Sequence, residues 1–261
     1  MNQKRENARM TPDAIRSFFA GRMCDFPIYV HEIIDSTNTE AKRLAANGER
    51  DCLIAAVHQT AGRGRLGRSF SSPADTGAYF TLLYTPDAPI DTAVTVTCAA
   101  SVAAMRAIRT LTGKETGIKW VNDLYLDGKK IAGILCESVC VDGVLRIIVG
   151  IGINISTAFD GTDLEGIAGS LSCPSLSPAA LIAEVVCHLY PFLSHPQDRS
   201  WLEDYRRAST VLSRRVRFTR DGETQEGIAL RIEEDGALCV RTDDGTEHRL
   251  FSGEITVRTE N

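Results

Sequence analysis

Apolar and polar positions alternate along IYVHEII at residues 28–34, run together in CLIAAV at 52–57, and alternate again in the aromatic and β-branched GAYFTLLYT at 77–85. Each pattern predicts a strand. Between the first two lies DSTNTEAKRLAANG, residues 35–48, which predicts a short helix; Thr37-x-x-Glu40 reads as its capping box and Gly48 as its stop. Upstream, TPDAIRSFFA at 11–20 predicts another helix, with Thr11 as cap and Pro12 in the first turn. Residues 92–112 are Ala-rich and mostly apolar, the pattern of a long helix buried on a sheet.

The centre reads differently. IKWVN, LYL, KKIAGILCES and VLRIIVGIGINIS follow one another with Asn122-Asp123, Asp127-Gly128 and Asp142-Gly143 between them. Asp-Gly between apolar runs is the strongest short hairpin signal, so an antiparallel meander is expected rather than alternating βαβ units. Two helices follow, SPAALIAEVVCHLYPFLSH from Ser177 and SWLEDYRRAS from Ser200. After about residue 210 the chain breaks into short alternating strands with Asp-Gly turns at 221, 235 and 244, which suggests a small barrel. The expected fold is α+β, a mixed and mainly antiparallel sheet flanked by helices. The expected division is an N-terminal extension at 1–27, a main domain at 28–210 and a small β-domain at 211–261.

Composition narrows the possible partners. The 261 residues carry a net charge of −5, so no global field recruits nucleic acid, and a local basic cluster stands out. No uninterrupted apolar run approaches the length of a membrane span, and the polar N-terminus lacks a secretory h-region. The eight cysteines form no C-x-x-C and sit mostly in apolar runs, which reads as buried reduced thiols in a cytoplasmic protein. The alternative, a zinc site, gains nothing from five scattered histidines.

The basic cluster is GRGRLGR, Gly62 to Arg68. Its first six letters also spell the dinucleotide fingerprint G-x-G-x-x-G, with Asp87 in place of the distal acid. That fingerprint requires a helix after the last glycine to hold the pyrophosphate. Here RSFSSPADTG follows and leads into a strand. The glycines then serve a tight loop and positive φ. Arg63, Arg65 and Arg68 supply planar donors for phosphate or carboxylate, unless the loop is merely a solvated basic surface. A second cluster, Lys119, Trp120, Asn122, Asp123 and Lys130, lies on the next hairpin. Strict alternation puts Lys130 on one face with Ala132, Ile134 and Cys136, heading an apolar row. Gly133, within that strand, hints at the close approach of another group.

DSTNTEAK, HQTAGRGRLGR, IKWVNDLYLDGKKIAGIL, VGIGINI and a closing GEITVR, in this order, resemble the biotin–protein ligases from about residue 28 to the C-terminus. Val121 stands where many members have proline. The resemblance implies a class II aminoacyl-tRNA synthetase-like sheet with a Src-homology-3-like barrel. It implies formation of biotinyl-5′-AMP from biotin and ATP with Mg2+, then transfer of biotin to a lysine of a biotin carboxyl carrier protein. By position it implies that Ser36, Thr37, Asn38 and Gln59 hold the polar head of biotin. Gly62, Arg63, Gly64, Arg65, Gly133 and Gly152 would line the biotin and adenylate pocket. Lys130 and Arg65 would stabilise charge and retain the adenylate. Arg68, Lys119, Trp120, Asn122, Asn154 and Arg258 would serve the nucleotide, and Asp123 would orient the incoming lysine. Some members are also DNA-binding repressors. The roughly 30 residues before the first strong pattern are too few for their helix-turn-helix, so a ligase without nucleic-acid or membrane partners is expected. A homodimer is left open. A lipoate or octanoate ligase is the alternative within the superfamily.

Overall fold

The computed structural model describes residues 10–19, 21, 25–87, 93–220, 222–253 and 255–257. Helix α1 (Pro12–Phe18) starts at Thr11, whose hydroxyl accepts from the Ala14 N–H. Strand β1 (Ile28–Ile34) leads into α2 (Thr37–Ala46), β2 (Cys52–Gln59) and β3 (Gly77–Tyr84). Next come α3 (Ala93–Thr112), β4 (Gly117–Lys119), β5 (Asp123–Leu126), β6 (Lys129–Val141) and β7 (Val144–Asn154). The predicted hairpins are present, and Asp127-Gly128 and Asp142-Gly143 both have the positive φ of type I′ turns. Helices α4 (Pro178–Ser194) and α5 (Ser200–Ala208) precede the strands β8 (Arg215–Arg220), β9 (Glu223–Ile232), β10 (Leu238–Thr242), β11 (Glu247–Leu250) and β12 (Ile255–Val257).

One helix start differs from its sequence reading. The cap of α2 is Ser36, not Thr37, and its side chain makes no capping bond. Thr37 is already helical and its N–H bonds Gln59 Oε1 at 2.9 Å, so the start of α2 is tied to β2 instead of being closed locally.

The main sheet has seven strands in the order β1-β2-β3-β7-β6-β5-β4. Only β1 and β2 run parallel; the remaining neighbours are antiparallel. Its back face carries Leu53, Phe80, Leu82, Val149, Ile151 and Ile134, which pack with α1, α3 and α4 into the core. Of the described helices, α3 is long and apolar enough to cross a membrane, but 78% of that stretch is buried inside the protein. The front face is divided. Ala41 and Ala45 of α2 cover Cys52, Ile54, Leu83 and Ile148, and the rest of that face stays open. The terminal strands form a five-stranded antiparallel sheet, β11-β10-β9-β8-β12. Val216, Phe218, Ile232 and Leu238 join it to the main core.

Candidate functional site

Strand register explains where the open half of the front face comes from. One row across the sheet reads Ala56, Tyr79, Gly152, Gly133, Asp123 and Lys119. The next reads Ile54, Thr81, Gly150 and Leu135. Three glycines in the middle of these rows remove side chains where a pleated sheet would otherwise present them. The space is used. A Cβ at Gly150 would overlap Asn38 Oδ1, and one at Gly152 would overlap the Phe70 ring. A cavity of about 300 Å³ lies there, between the start of α2, the Gly62–Phe70 loop, β5, β6, Gly253, and Ile255 and Thr256 of the terminal sheet.

One end of the cavity is polar, and Arg63 is the charged residue that lines it. Ser36, Thr37 and Asn38 line it and are almost fully buried. Thr81, from β3, donates toward Asn38 Oδ1 at 2.7 Å and contacts the Thr37 hydroxyl at 2.8 Å. Gln59 accepts from the Thr37 N–H and donates to Ser72 at 2.8 Å. Behind this cluster sits Glu137, which Asn38 Nδ2 reaches at 3.0 Å, Lys42 at 2.7 Å and Arg63 at 3.6 Å. Burial opposes the charge on Glu137, but the hydrogen bonds from Lys42 and Asn38 and the charges of Lys42 and Arg63 prevail. They hold its carboxyl below the ordinary glutamate value.

The other end is cationic. Arg65, Arg68, Lys119 and Lys130 line it, with Asp123 the acidic residue among the lining side chains. Arg65 donates to Asn122 Oδ1 at 3.0 Å, and Asn122 is itself fixed by donating to the Ile134 carbonyl. Lys130 Nζ lies 2.7 Å from Asp123 Oδ1, an ion pair at the edge of the cavity. The position of Lys130 corrects the strict alternation read from the sequence. Tyr125 pairs with Lys130 while Leu124 pairs with Ala132, so Ile131 is an extra residue in a β-bulge. Ile131 and Ala132 are both buried as a result. The bulge turns Lys130 to the Gly133 side, where its Nζ would be 3.4 Å from a Cβ on Gly133. The group that approaches Gly133 is therefore Lys130, together with Phe70.

The glycine–arginine loop also needs restating. Residues 62–70 form a small hairpin of their own, with Phe70 N–H on the Gly62 carbonyl at 2.9 Å and Gly64 N–H on the Arg68 carbonyl at 2.7 Å. Positive φ falls on Leu66 and Gly67 at its tip, not on Gly62 or Gly64. Gly62 is required for space, because a Cβ there would overlap the Phe70 carbonyl. It lies beside the cavity but does not line it.

Three more expected residues need comment. Asn154 is not among the residues that line the cavity; it is buried and donates to the Gly169 carbonyl, and Gly169 N–H bonds the Lys130 carbonyl. It therefore supports the backbone of Lys130. Trp120 borders the cavity, but its N–H is spent on the Gly236 carbonyl at 3.0 Å. Arg258 lies outside the described residues; Ile255 and Thr256 of β12 line the cavity. Sequence reasoning missed Phe70, Thr81, Gly150, Lys42 and Glu137. Only Gly150 carried a signal, as the first glycine of the alternating VGIGIN. The others depend on which strands are neighbours.

Residues 30–154 match the model of the biotin/lipoate A/B protein ligase family, and residues 211–258 match the biotin protein ligase C-terminal domain. A biotin–[acetyl-CoA-carboxylase] ligase of Paracoccus denitrificans is 32% identical over 231 residues, covering 82% of this chain and 93% of that protein. The chain belongs to the biotin protein ligase family. It is also 32% identical to the bifunctional ligase/repressor BirA of Bacillus spizizenii, across 86% of this chain and 72% of that protein. Among solved structures, the Aquifex aeolicus biotin protein ligase in complex with biotin and ATP shares the fold at a TM-score of 0.73 and 23% identity, over 90% of this chain and 99% of that one. The Leishmania major biotin protein ligase with biotinyl-5-AMP aligns at 0.58 and 26% identity, over 87% of this chain and 99% of that chain.

Proposed function

We propose that the protein is an ATP-dependent biotin–protein ligase, which forms biotinyl-5′-AMP and transfers biotin to a lysine of a biotin carboxyl carrier protein. The observation that carries this reading is the polarity of the cavity. Its buried end offers uncharged hydrogen-bonding groups on Thr37, Asn38 and Gln59, and its open end gathers Arg65, Arg68, Lys119 and Lys130. Biotin has the matching polarity, with a neutral ureido head at one end and a carboxylate at the other.

In the first step a biotin carboxylate oxygen attacks the α-phosphorus of ATP, a P–O bond forms, and pyrophosphate leaves. Two anions must meet, so fixed positive charge contributes more than a base. Lys130, held beside Asp123, and Arg65, held by Asn122, are placed to bind the carboxylate and the α-phosphate. Among the described residues no three His, Cys, Asp or Glu side chains gather as a metal site. Magnesium enters this reading as part of the ATP complex, neutralising the phosphates. In the second step a neutral lysine amine of the carrier attacks the acyl carbon, an amide forms, and AMP leaves. Asp123, which lines the cavity beside Lys130, would orient that lysine on approach. The Gly62–Phe70 hairpin lies over the same space and would keep water from the mixed anhydride. A cytoplasmic setting, where ATP and carrier are present, is part of the proposal, and it needs neither nucleic acid nor membrane.

Purified protein given biotin, ATP, magnesium and a biotin carboxyl carrier domain should label that domain. Labelling no greater than with ATP left out, or a preference for lipoate or octanoate over biotin, would overturn the reading.

A further inference from the structure

Asn38 has every polar position but one accounted for. Its Nδ2 donates to the Leu135 carbonyl at 3.3 Å and to Glu137 Oε2 at 3.0 Å, and its Oδ1 accepts from Thr81 at 2.7 Å. What remains is one lone pair on Oδ1, which therefore offers the ligand an acceptor. An amide turned over by 180° would offer a donor from the same place. Its neighbours decide between the two, and Thr81 is a weak judge because a hydroxyl can donate or accept. The Leu135 carbonyl, which only accepts, and Glu137 are the strong ones, and Glu137 makes the shorter contact, 3.0 Å against 3.3 Å. An ionised carboxylate only accepts, and Lys42 and Arg63 keep this one supplied with positive charge.

We propose that Glu137 is a positioning residue that fixes which atom of the Asn38 amide faces the cavity, and so makes the site select a ligand head bearing an N–H donor. The proposal rests on the biotin reading above, in which that head is the ureido ring. It also accounts for placing a half-buried carboxylate where it cannot touch the ligand directly. Glu137 lies in the register row beside that of Thr81, Gly150 and Leu135, paired with Ile148, and is not among the cavity-lining residues. Lys42 supports it from α2, the helix that carries Asn38, so the two donors to Glu137 come from one rigid element.

The test is Glu137→Gln. Oε1 of the new amide would stay on Lys42, which leaves its NH2 facing Asn38 Nδ2, donor against donor, so the Asn38 amide must either turn, losing its bond to the Leu135 carbonyl, or shift from its place. The KM for biotin should rise about tenfold or more, equivalent to ~1.4 kcal/mol, with the KM for ATP and kcat within about twofold of wild type. The decisive readout is selectivity between biotin and an isosteric analogue with a ring oxygen in place of a ureido N–H. Wild type should reject the analogue strongly, because its ring oxygen would face Asn38 Oδ1, and Glu137→Gln should narrow that discrimination by about tenfold or more. Glu137→Asp, which remains acceptor-only, should keep the wild-type preference. The proposal is overturned if Glu137→Gln leaves the biotin KM within twofold, if it weakens biotin and the analogue equally, or if Glu137→Asp also loses the preference. Failure of wild type to activate biotin at all would instead overturn the functional reading.

Discussion

At the scale of single residues, the site uses its charges in tethered pairs. Arg65 is held by Asn122 and Lys130 by Asp123, so neither cation has to be ordered when the ligand arrives. Lys130→Ala should lower biotinyl-5′-AMP formation by about 100-fold or more, with the circular dichroism spectrum unchanged. An adenylate yield near wild type would remove Lys130 from the chemistry. Arg65→Gly should loosen the adenylate, and mass spectrometry should find biotin on lysines of bystander proteins. Labelling confined to the carrier would count against Arg65 as the retaining group. Both residues were readable in the sequence, since a Gly/Arg loop and a lysine on a hairpin are local features. Their tethers were only partly so. Asn122 and Asp123 are neighbours in the chain, but the fold pairs them with residues on two different elements.

At the scale of elements, the cavity exists because the strands of one sheet face omit side chains in register. Gly133, Gly150 and Gly152 lie on β6 and β7, and their alignment across the strands is what clears the floor. Gly150→Ala should therefore leave the sheet paired, yet push Asn38 out of place. Biotin binding by calorimetry should weaken by about tenfold or more (~1.4 kcal/mol). Unaltered affinity would show that Asn38 tolerates the displacement. The bulge at Ile131 belongs to the same scale. Alternation put Lys130 in the apolar row, and the extra residue reversed that by turning the side chain onto the glycine floor. A bulge leaves little trace in sequence, because Ile131 and Ala132 read equally well in a regular strand.

At the scale of the whole molecule, the terminal sheet is bound to the main sheet through the core and through polar contacts. Trp120 donates to the Gly236 carbonyl, Thr95 to that of Asp235, and Arg206 to that of Ile232 at 2.6 Å. Each of these bonds caps a backbone oxygen of the β9–β10 hairpin. With apolar side chains of both sheets in one continuous cluster, the two should unfold together. Scanning calorimetry should show a single transition; two well-separated ones would mean that the sheets are independent. The same coupling brings Ile255 and Thr256 to the cavity, so that a site built on the main sheet is closed by the last strand of the small one.

The sequence alone determined the elements, their order, the antiparallel centre and the small terminal β-unit, because hydrophobic period and Asp-Gly turns act over a few residues. It also placed most of the cationic groups, whose loop and hairpin are each continuous in the chain. Tertiary structure decided the rest. It moved the cap of α2 to Ser36, turned Lys130 through a bulge, and tied Asn154 to Gly169. It set Glu137 behind Asn38, 99 residues apart in sequence, where the acceptor can orient the amide. These outcomes depend on which strands lie side by side and in what register. That is fixed by burial of the whole sheet, and no local stretch of the chain encodes it.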